Sequence, residues 1–273
     1  MKLSIVTINR NNALGLEKTM RSVAAQTFKE FEYIVVDGAS TDGSADIIKS
    51  LEPNIAYLKW TSEPDSGIYN AMNKGIRMAT GDYIQILNSG DCLAADDIVE
   101  KMSKAFEKAG NPSILYGNMV KCYPDGKQML DKGFEGKEIT LFDMFLGTLN
   151  HSPAYIRRNL FEKYGYYDES LKIVSDWEWY LQAIVFGEEK PVYCNLNVTL
   201  FDMAGISETN KELVNVERKQ VLERLLPQPV IKDYERFAFP MEQISRLQRH
   251  PWAYKVVWFL ERCLFKYERK ISK

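Results

Sequence analysis

The stretch Tyr33-Ile34-Val35-Val36-Asp37-Gly38-Ala39-Ser40-Thr41-Asp42-Gly43-Ser44 decides the fold class of this chain. Its first four residues form a short apolar run, which is typical of a strand covered on both faces. Asp37 and Gly38 suit a tight exit from that strand, and the run from Ser40 to Gly43 suits a turn before a helix. Because a short helix is predicted over 46–51, the stretch indicates a strand–turn–helix unit.

The same alternation extends on both sides of this unit through the first 120 residues. Leu3 to Ile8 is an earlier apolar run of strand type, and Leu14 to Thr27 carries apolar residues at helical spacing. The remaining predicted elements are strands over 55–60, 83–87 and 114–120 and helices over 68–79 and 96–109. Strands that alternate with helices favour an α/β sandwich with a mainly parallel central sheet.

The pattern changes beyond residue 120. Tyr123 to Lys127 has the turn chemistry of a hairpin. The elements predicted next are helices near 140–147, 158–164 and 175–186 and a strand near 191–200. From about residue 211 the pattern is wholly helical, with breaks predicted at the prolines Pro227, Pro229, Pro240 and Pro251. We therefore expect a domain over 1–210, divided into 1–120 and 121–210, and a helical C-terminal extension over 211–273.

The composition excludes several classes of protein. Apolar residues make up 45% and charged residues 26% of the chain, which argues against a disordered or fibrous protein. The net charge of −2 gives no whole-chain attraction to nucleic acid, so we expect no nucleic-acid partner. No apolar run is long enough to span a bilayer, and the N-terminal segment does not have the pattern of a signal peptide. The expected location is therefore the cytoplasm.

The cysteines and histidines predict neither a zinc site nor a disulfide framework. The four cysteines lie far apart in the sequence and form no CxxC pair. Only two histidines are present, His151 and His250, which excludes a metal centre built from several histidines.

Polar side chains follow each of the first four predicted strands. The four clusters are Thr7 to Arg10, Asp37 to Ser40, Glu63 to Gly67 and Asn88 to Asp91. Each cluster alone is typical of a turn or a helix cap. Because ligands bind beyond the carboxyl ends of parallel strands, four clusters at one sheet edge favour a binding site.

These residues carry a family resemblance. The run Val35 to Ser44 resembles the signature of family 2 inverting glycosyltransferases, which have the GT-A fold. The runs Ser4 to Arg10 and Gly81 to Asp91 are similar to the same family. The resemblance covers roughly residues 1–210, and it implies a nucleotide-sugar half over 1–120 and an acceptor half over 121–210.

The resemblance implies a nucleotide site at the ends of the first strands. Asp37 matches the residue that binds the nucleotide base, usually uracil, and its carboxylate can accept the N3–H of that ring. Gly38 lets the backbone come close to the base. Arg10 supplies a donor fork for ribose or phosphate. The other residues implied for the nucleotide are Thr7, Asn9, Asp65, Asn88 and Ser89.

The resemblance also implies a divalent cation, Mg²⁺ or Mn²⁺, at Asn88-Ser89-Gly90-Asp91. Many relatives have Asp where this chain has Asn88 and Gly90, so Asp91 is the one anionic ligand expected here. A cation that bridges a diphosphate needs only one or two carboxylates, since phosphate oxygens and water fill the other positions. We therefore expect a weak site, to which Asn88 adds either a carbonyl oxygen or a contact to ribose.

The resemblance places the catalytic base in Ile173-Val174-Ser175-Asp176-Trp177-Glu178-Trp179. Asp176 falls on the position that deprotonates the acceptor hydroxyl, so that its oxygen attacks in line with the leaving diphosphate. The alternative is that Asp176 caps a helix that begins at Trp177. The two roles are compatible.

Further residues are implied on the acceptor or diphosphate side of the site. His151 precedes a segment that resembles the acceptor-side wall, and it is either a structural residue or a contact to the diphosphate. Gly205 would act as the hinge of a mobile loop, and Ser207 would contact phosphate. Glu178 completes this group.

The last 28 residues combine basic and aromatic side chains. Residues 246–273 hold eight Lys and Arg against two Glu, together with six aromatic residues. Such a helix either lies on an anionic membrane surface or packs on the body with a solvated basic face. The first alternative adds a peripheral membrane contact to the expected cytoplasmic location.

The sequence thus predicts an inverting glycosyltransferase that moves a sugar from a nucleotide-diphosphate donor, a UDP-sugar, to a glycan or lipid-linked glycan. One alternative is a sugar-phosphate nucleotidyltransferase, although the glycine-rich loop usual after the first strand of such enzymes is absent from Asn9 to Asn12. The other is an inactive scaffold that keeps the fold, which the altered Asn88 and Gly90 allow. The joint presence of Asp37, Asp91 and Asp176 argues against it.

Overall fold

A computed structural model describes residues 2–205 and 209–271 of the chain. The chain divides into two compact units, Met1–Val221 and Leu222–Lys273. Ser207, an expected phosphate contact, lies outside the described residues.

The first unit is an α/β structure, as predicted. Its strands are β1 Leu3–Asn9, β2 Phe31–Asp37, β3 Leu58–Ser62, β4 Tyr83–Ile86, β5 Cys92–Leu93, β6 Ile114–Cys122, β7 Gln128–Asp131, β8 Ala154–Arg157 and β9 Val192–Asp202. Its helices are α1 Ala13–Ala24, α2 Ser44–Leu51, α3 Ile68–Met78, α4 Ile98–Lys108, α5 Leu141–Leu146, α6 Asn159–Tyr164 and α7 Ser175–Tyr180, and α7 continues as a π-helical turn over Leu181–Phe186. Helix α8, Lys211–Leu225, begins in this unit and crosses its boundary.

Parallel pairing holds the first part of the sheet together. Strands β3, β2, β1 and β4 lie side by side in that order, and each adjacent pair is parallel. Every residue of β1 and β2 is buried, which explains their apolar runs. Strand β3 begins at Leu58 rather than at the predicted Ile55, because residues 55–58 form a turn in which the amide of Leu58 donates to the carbonyl of Ile55.

The rest of the sheet is mixed. Strand β8 pairs antiparallel with both β4 and β6, and β5 pairs antiparallel with β9. Strands β6 and β9 are parallel, and β7 forms the predicted hairpin with β6. The short strands β5 and β8 were not predicted, since neither has a run long enough to give a periodic signal.

The second unit is helical. Helix α9 spans Gln228–Gln248 and helix α10 spans Pro251–Ile271. The predicted breaks at Pro227 and Pro251 are confirmed, whereas those at Pro229 and Pro240 are wrong. Pro229 lies in the first turn of α9, where no main-chain N–H is needed, and Pro240 removes one hydrogen bond without ending the helix. Within the described ranges, no helix is long and apolar enough to cross a bilayer.

Candidate functional site

The parallel register brings the polar clusters to one edge of the sheet. Asn9, the last residue of β1, pairs with Asp37, the last residue of β2, and Asp37 pairs with Ser62 of β3. The segment after β4 joins this edge, because the amide of Ser89 donates to the carbonyl of Ile8. The expected nucleotide and metal residues therefore follow adjacent carboxyl ends, as the open-sheet rule requires.

Asp37 is the most heavily hydrogen-bonded side chain of this edge. Its Oδ1 accepts from Asn9 Nδ2 at 2.8 Å and from the Ser40 hydroxyl at 2.6 Å. Its Oδ2 accepts from the Ser40 amide at 3.0 Å and from the Ser62 hydroxyl at 2.6 Å. These donors outweigh the cost of burial and lower the pKa of Asp37, so the carboxylate is ionised at neutral pH. A uracil N3–H can reach it only where one of the two hydroxyls turns away.

Arg10, Gly38 and Asp65 lie together beside Asp37. Arg10 Nη1 forms an ion pair of 3.2 Å with Asp65, whose side chain is buried while that of Arg10 is largely exposed. A Cβ at Gly38 would collide with the Asp65 carboxylate, so no larger residue fits this position without displacing it. The exposed guanidinium is thus fixed at one end and has further donors for a ligand anion.

The turn Asn88 to Asp91 is hydrogen-bonded to α1, and two of its buried side-chain oxygens have no hydrogen-bond partner among the described residues. The hydroxyl of Thr19 donates to the carbonyl of Asp91 and accepts from the amide of Gly90. Gly90 has φ +107, a conformation that favours glycine over the Asp of many relatives. Asn88 Oδ1 and Asp91 Oδ2 are buried, and neither has a hydrogen-bond partner among residues 2–205 and 209–271.

Asp202 brings a second carboxylate to this turn, which the sequence analysis missed. Cys92 pairs with Leu200 across β5 and β9, and the Asp202 amide donates to Asp91 Oδ1 at 2.9 Å. A Cβ at Gly90 would lie 3.4 Å from Asp202 Oδ2. Asp202 lies just after the strand predicted near 191–200 and three residues before Gly205, yet only the β5–β9 pairing reveals that this carboxylate lies against the turn.

These atoms fit a divalent cation. Burial raises the pKa of Asp91 to about 7, and the negative charge of Asp202 adds to this rise. The described part of the chain contains no cluster of three or more His, Cys, Asp or Glu side chains able to hold a metal ion. Two carboxylates and an amide oxygen are nevertheless the hard ligands that Mg²⁺ and Mn²⁺ prefer where a diphosphate supplies the rest. The orphaned oxygens of Asn88 and Asp91 are the atoms such an ion would satisfy.

Asp176 and His151 form a partly buried pair next to this turn. His151 Nδ1 lies 3.0 Å from Asp176 Oδ2, and His151 Nε2 lies 3.3 Å from Asn88 Nδ2. The Tyr69 hydroxyl lies 2.9 Å from Asp176 Oδ1. Burial opposes both charges, but hydrogen bonding and mutual attraction lower the pKa of Asp176 and raise that of His151. The carboxylate is therefore ionised and directs a proton to Nδ1 of the imidazole.

The predicted cap at Asp176 is wrong in position. Helix α7 begins at Ser175 after Val174 at its N-cap, so Asp176 lies inside the first turn. Its carboxylate oxygens point to His151 and Tyr69, which belong to other elements. Tyr69 was not among the expected site residues, although it follows the quoted cluster at Glu63 to Gly67.

Three expected residues lie away from these contacts. Thr7 is fully buried and accepts a hydrogen bond from the Tyr33 hydroxyl. Glu178 is buried and accepts a hydrogen bond from Gln182 in the next turn of its own helix. Gly205 is the last described residue before 206–208, and among the described residues a Cβ there would meet the carbonyl oxygen of Asp202, at 3.7 Å.

The mixed sheet, with acidic side chains at the carboxyl ends of its parallel strands, defines the class of GT-A glycosyltransferases. The chain belongs to glycosyl transferase family 2, whose sequence profile matches residues 4–165. Membership of this family supports the transfer of glycosyl groups, which argues against the nucleotidyltransferase alternative. It is 33% identical over 212 residues to "Uncharacterized glycosyltransferase Rv1514c" of Mycobacterium tuberculosis, a match that covers 75% of this chain and 76% of the relative.

Two solved structures share the fold. S. aureus TarS 1-349 in complex with UDP-GlcNAc has a TM-score of 0.61 and 21% identity, and the match covers 74% of this chain and 58% of TarS. The mannosyltransferase PcManGT from Pyrobaculum calidifontis in complex with GDP-Man and Mn²⁺ has a TM-score of 0.57 and 18% identity. That match covers 73% of this chain and 56% of PcManGT. This chain thus spans less than two thirds of either structure.

Proposed function

We propose that this chain is an inverting glycosyltransferase that moves a sugar from a UDP-sugar to a hydroxyl of a glycan or lipid-linked glycan. The observation that carries the proposal is the contact of the Asp176–His151 pair with Asn88, which joins the proposed base to the Asn88–Asp91 turn. The UDP-GlcNAc complex of TarS and the GDP-Man complex of PcManGT support a nucleotide sugar as the donor.

The donor is bound at the ends of β1, β2 and β3. Asp37 takes the N3–H of the base after the Ser40 or Ser62 hydroxyl rotates, and Asn9 stays on Asp37 Oδ1 to hold the carboxylate. Arg10, steadied by Asp65, donates to ribose or phosphate oxygens. The backbone of Gly38 gives the base close access.

The leaving diphosphate lies against the Asn88–Asp91 turn. Asp91, Asp202 and Asn88 would hold Mg²⁺ or Mn²⁺, which, when bound, stabilises the charge that develops on the departing oxygen. The Mn²⁺ of PcManGT supports a divalent cation as the metal of this site. Gly205 and Ser207 remain proposed parts of a loop that closes over the diphosphate, with Ser207 as the phosphate contact.

Asp176 removes the proton of the acceptor hydroxyl. Its lowered pKa keeps it ionised at neutral pH, and Tyr69 fixes the direction of its Oδ1. The acceptor hydroxyl binds at this carboxylate, so that its oxygen attacks the sugar opposite the diphosphate. His151 balances the negative charge of Asp176 and separates it from the acidic turn at Asp91, which also keeps the base ionised.

The C-terminal unit places the enzyme at a membrane surface, where a lipid-linked acceptor is found. Helix α10 has large exposed apolar side chains, which include Trp252, Phe259 and Leu264. Lys255 and Arg262 lie on the same helix, and basic side chains add electrostatic attraction to anionic lipids. The proposed location is therefore the cytoplasmic face of a membrane, to which the chain binds peripherally.

Calorimetric titration with UDP, with and without Mn²⁺, tests the donor site. We expect the wild type to bind UDP more tightly when Mn²⁺ is present. Asp37→Ala should abolish UDP binding. Asp91→Ala should still bind UDP, but Mn²⁺ should no longer strengthen the binding. Asp233→Ala, on the exposed face of α9, is the matched control and should bind as the wild type does. Absence of UDP binding by the wild type under both conditions would refute the UDP-sugar assignment.

A further inference from the structure

Helix α8 carries a buried carboxylate, Glu217, that contacts the segment before Asp176. Glu217 is only 5% exposed. One of its oxygens accepts from the amide of Lys172 at 2.7 Å. The other accepts from the amides of Ile173 and Val174 at 2.9 and 3.2 Å. Three consecutive main-chain donors thus converge on one side chain from a distant part of the sequence.

Two of these donors, the amides of Lys172 and Ile173, precede helix α7, and the third is the amide of its N-cap residue, Val174. Val174, at the N-cap of α7, provides no side-chain cap of its own. Amides at a helix start need an acceptor, and a negative charge there is favoured by the helix dipole. Glu217 supplies both and so fixes the backbone two residues before Asp176.

The neighbouring residue Arg218 fixes the other side of the pair. Its guanidinium lies 4.8 Å from the centre of the Trp177 ring, and its Nη2 donates to the carbonyl of Gly147 at 3.1 Å. Trp177 directly follows Asp176, and Gly147 lies four residues before His151. Trp177 Nε1 in turn donates to the carbonyl of Met144, at 2.7 Å. Arg218 thus ties together the two segments that carry Asp176 and His151.

We propose that Glu217 and Arg218 are positioning residues that hold Asp176 at the distance and angle required for its contacts with His151 and Tyr69. The catalytic part of this inference rests on the proposed function, in which Asp176 is the base. A displacement of about 1 Å in such a group can reduce a rate by about a hundredfold, because the reacting atoms must be aligned. Neither residue touches the donor segments at Asp37 or Arg10, so donor binding should not depend on them.

The test compares Glu217→Gln and Arg218→Gln with the wild type and with the exposed control Glu212→Gln on the same helix. Glu217→Gln keeps the size of the side chain, so the fold should be retained. It has only one acceptor oxygen, so fewer of the three amides keep their partner. The first readout is the low-field proton resonance of the His151 imidazole Nδ1–H. It is easily assigned because the chain has only two histidines. The second is calorimetric UDP binding, and the third is UDP release from the sugar nucleotide that the wild type turns over fastest.

We expect the imidazole resonance to shift or broaden in both variants, the rate constant for UDP release to fall at least tenfold, and the dissociation constant for UDP to change less than twofold. Glu212→Gln should match the wild type in all three. An unshifted imidazole resonance or a wild-type rate in Glu217→Gln would overturn the inference. A loss of UDP binding as large as the loss of rate would also overturn it, because it indicates a general loss of structure.

Asp176→Asn separates this inference from the proposed function. If Asp176→Asn keeps the wild-type rate, Asp176 is not the base and the proposed mechanism fails. The imidazole resonance then still reports whether Glu217 and Arg218 position the pair. If Asp176→Asn is inactive while Glu217→Gln is fully active, the mechanism stands and the positioning role is refuted.

Discussion

Replacing Asp91 by Asn should make the free protein more stable at alkaline pH. Asp91 is 3% exposed, and its Oδ2 has no hydrogen-bond partner among the described residues. Burial and the nearby charge of Asp202 raise its pKa from 3.8 to about 7. Above pH 7 the wild type therefore keeps a buried negative charge on Asp91, with one carboxylate oxygen that accepts no hydrogen bond from the described residues. An asparagine keeps the acceptor for the Asp202 amide and removes that charge.

The size of the effect follows from the linkage between protonation and folding. A carboxyl group with a raised pKa binds more protons in the folded chain than in the unfolded chain, so stability falls as pH rises from about 4 to about 7. The rise in the pKa of Asp91 from 3.8 to about 7 corresponds to about 4 kcal/mol at pH 8. At pH 4 nearly all of this cost is absent. We expect the advantage of Asp91→Asn to grow from less than about 1 kcal/mol to about 4 kcal/mol over this range.

Urea unfolding in the presence of EDTA, at pH 4, 6 and 8, measures this difference from the midpoint and slope of each transition. Asp233→Asn, an exposed carboxylate on α9, is the control and should differ little from the wild type at every pH. At pH 8, saturating Mn²⁺ with UDP should make the wild type more stable than Asp91→Asn, because only the wild type offers the cation both carboxylates. An Asp91→Asn difference that is independent of pH, or a less stable variant at pH 8, would refute the reasoning.

Three further outcomes are expected. Asp176→Asn should lower the rate of sugar transfer by about 10²- to 10⁴-fold and leave calorimetric UDP binding unchanged, since it removes only a general base. Asp37→Asn should destabilise the chain by about 2 kcal/mol at pH 7 in urea unfolding. Because the pKa of Asp37 is lowered, this difference should vanish as pH falls through that lowered value. Replacing Lys255 and Arg262 together by Gln should weaken cosedimentation with phosphatidylserine vesicles by about 2 kcal/mol, roughly thirtyfold, without effect on neutral vesicles.

Much of the nucleotide half could be predicted because its signals are local. The apolar runs of β1 and β2 are buried along their whole length, and each is followed directly by its polar cluster. In-register parallel pairing then places Asn9 beside Asp37 without any further information. The helix at Asp176 was also predicted, and the structure places it over Ser175–Tyr180.

The parts that were missed depend on contacts between distant segments. Asp202 reaches Asp91 only because β5, two residues long, pairs with β9. Tyr69 reaches Asp176 across more than one hundred residues, and Pro240 stays inside α9. No local pattern encodes these arrangements, since each is decided by tertiary pairing or by packing that outweighs a local preference.

By itself the sequence determined the family, the α/β alternation and the acidic residues that follow the strands, because these depend on composition, hydrophobic period and motif. Only the tertiary structure decided which carboxylates are paired and which are not. Asp37 is fully satisfied by neighbouring hydroxyls and amides, Asp176 is paired with His151, and Asp91 retains a buried oxygen without a partner among the described residues. The roles proposed for these three aspartates are therefore different, because the pKa and the free lone pairs of each carboxylate are set by the surrounding atoms and not by its own chemistry.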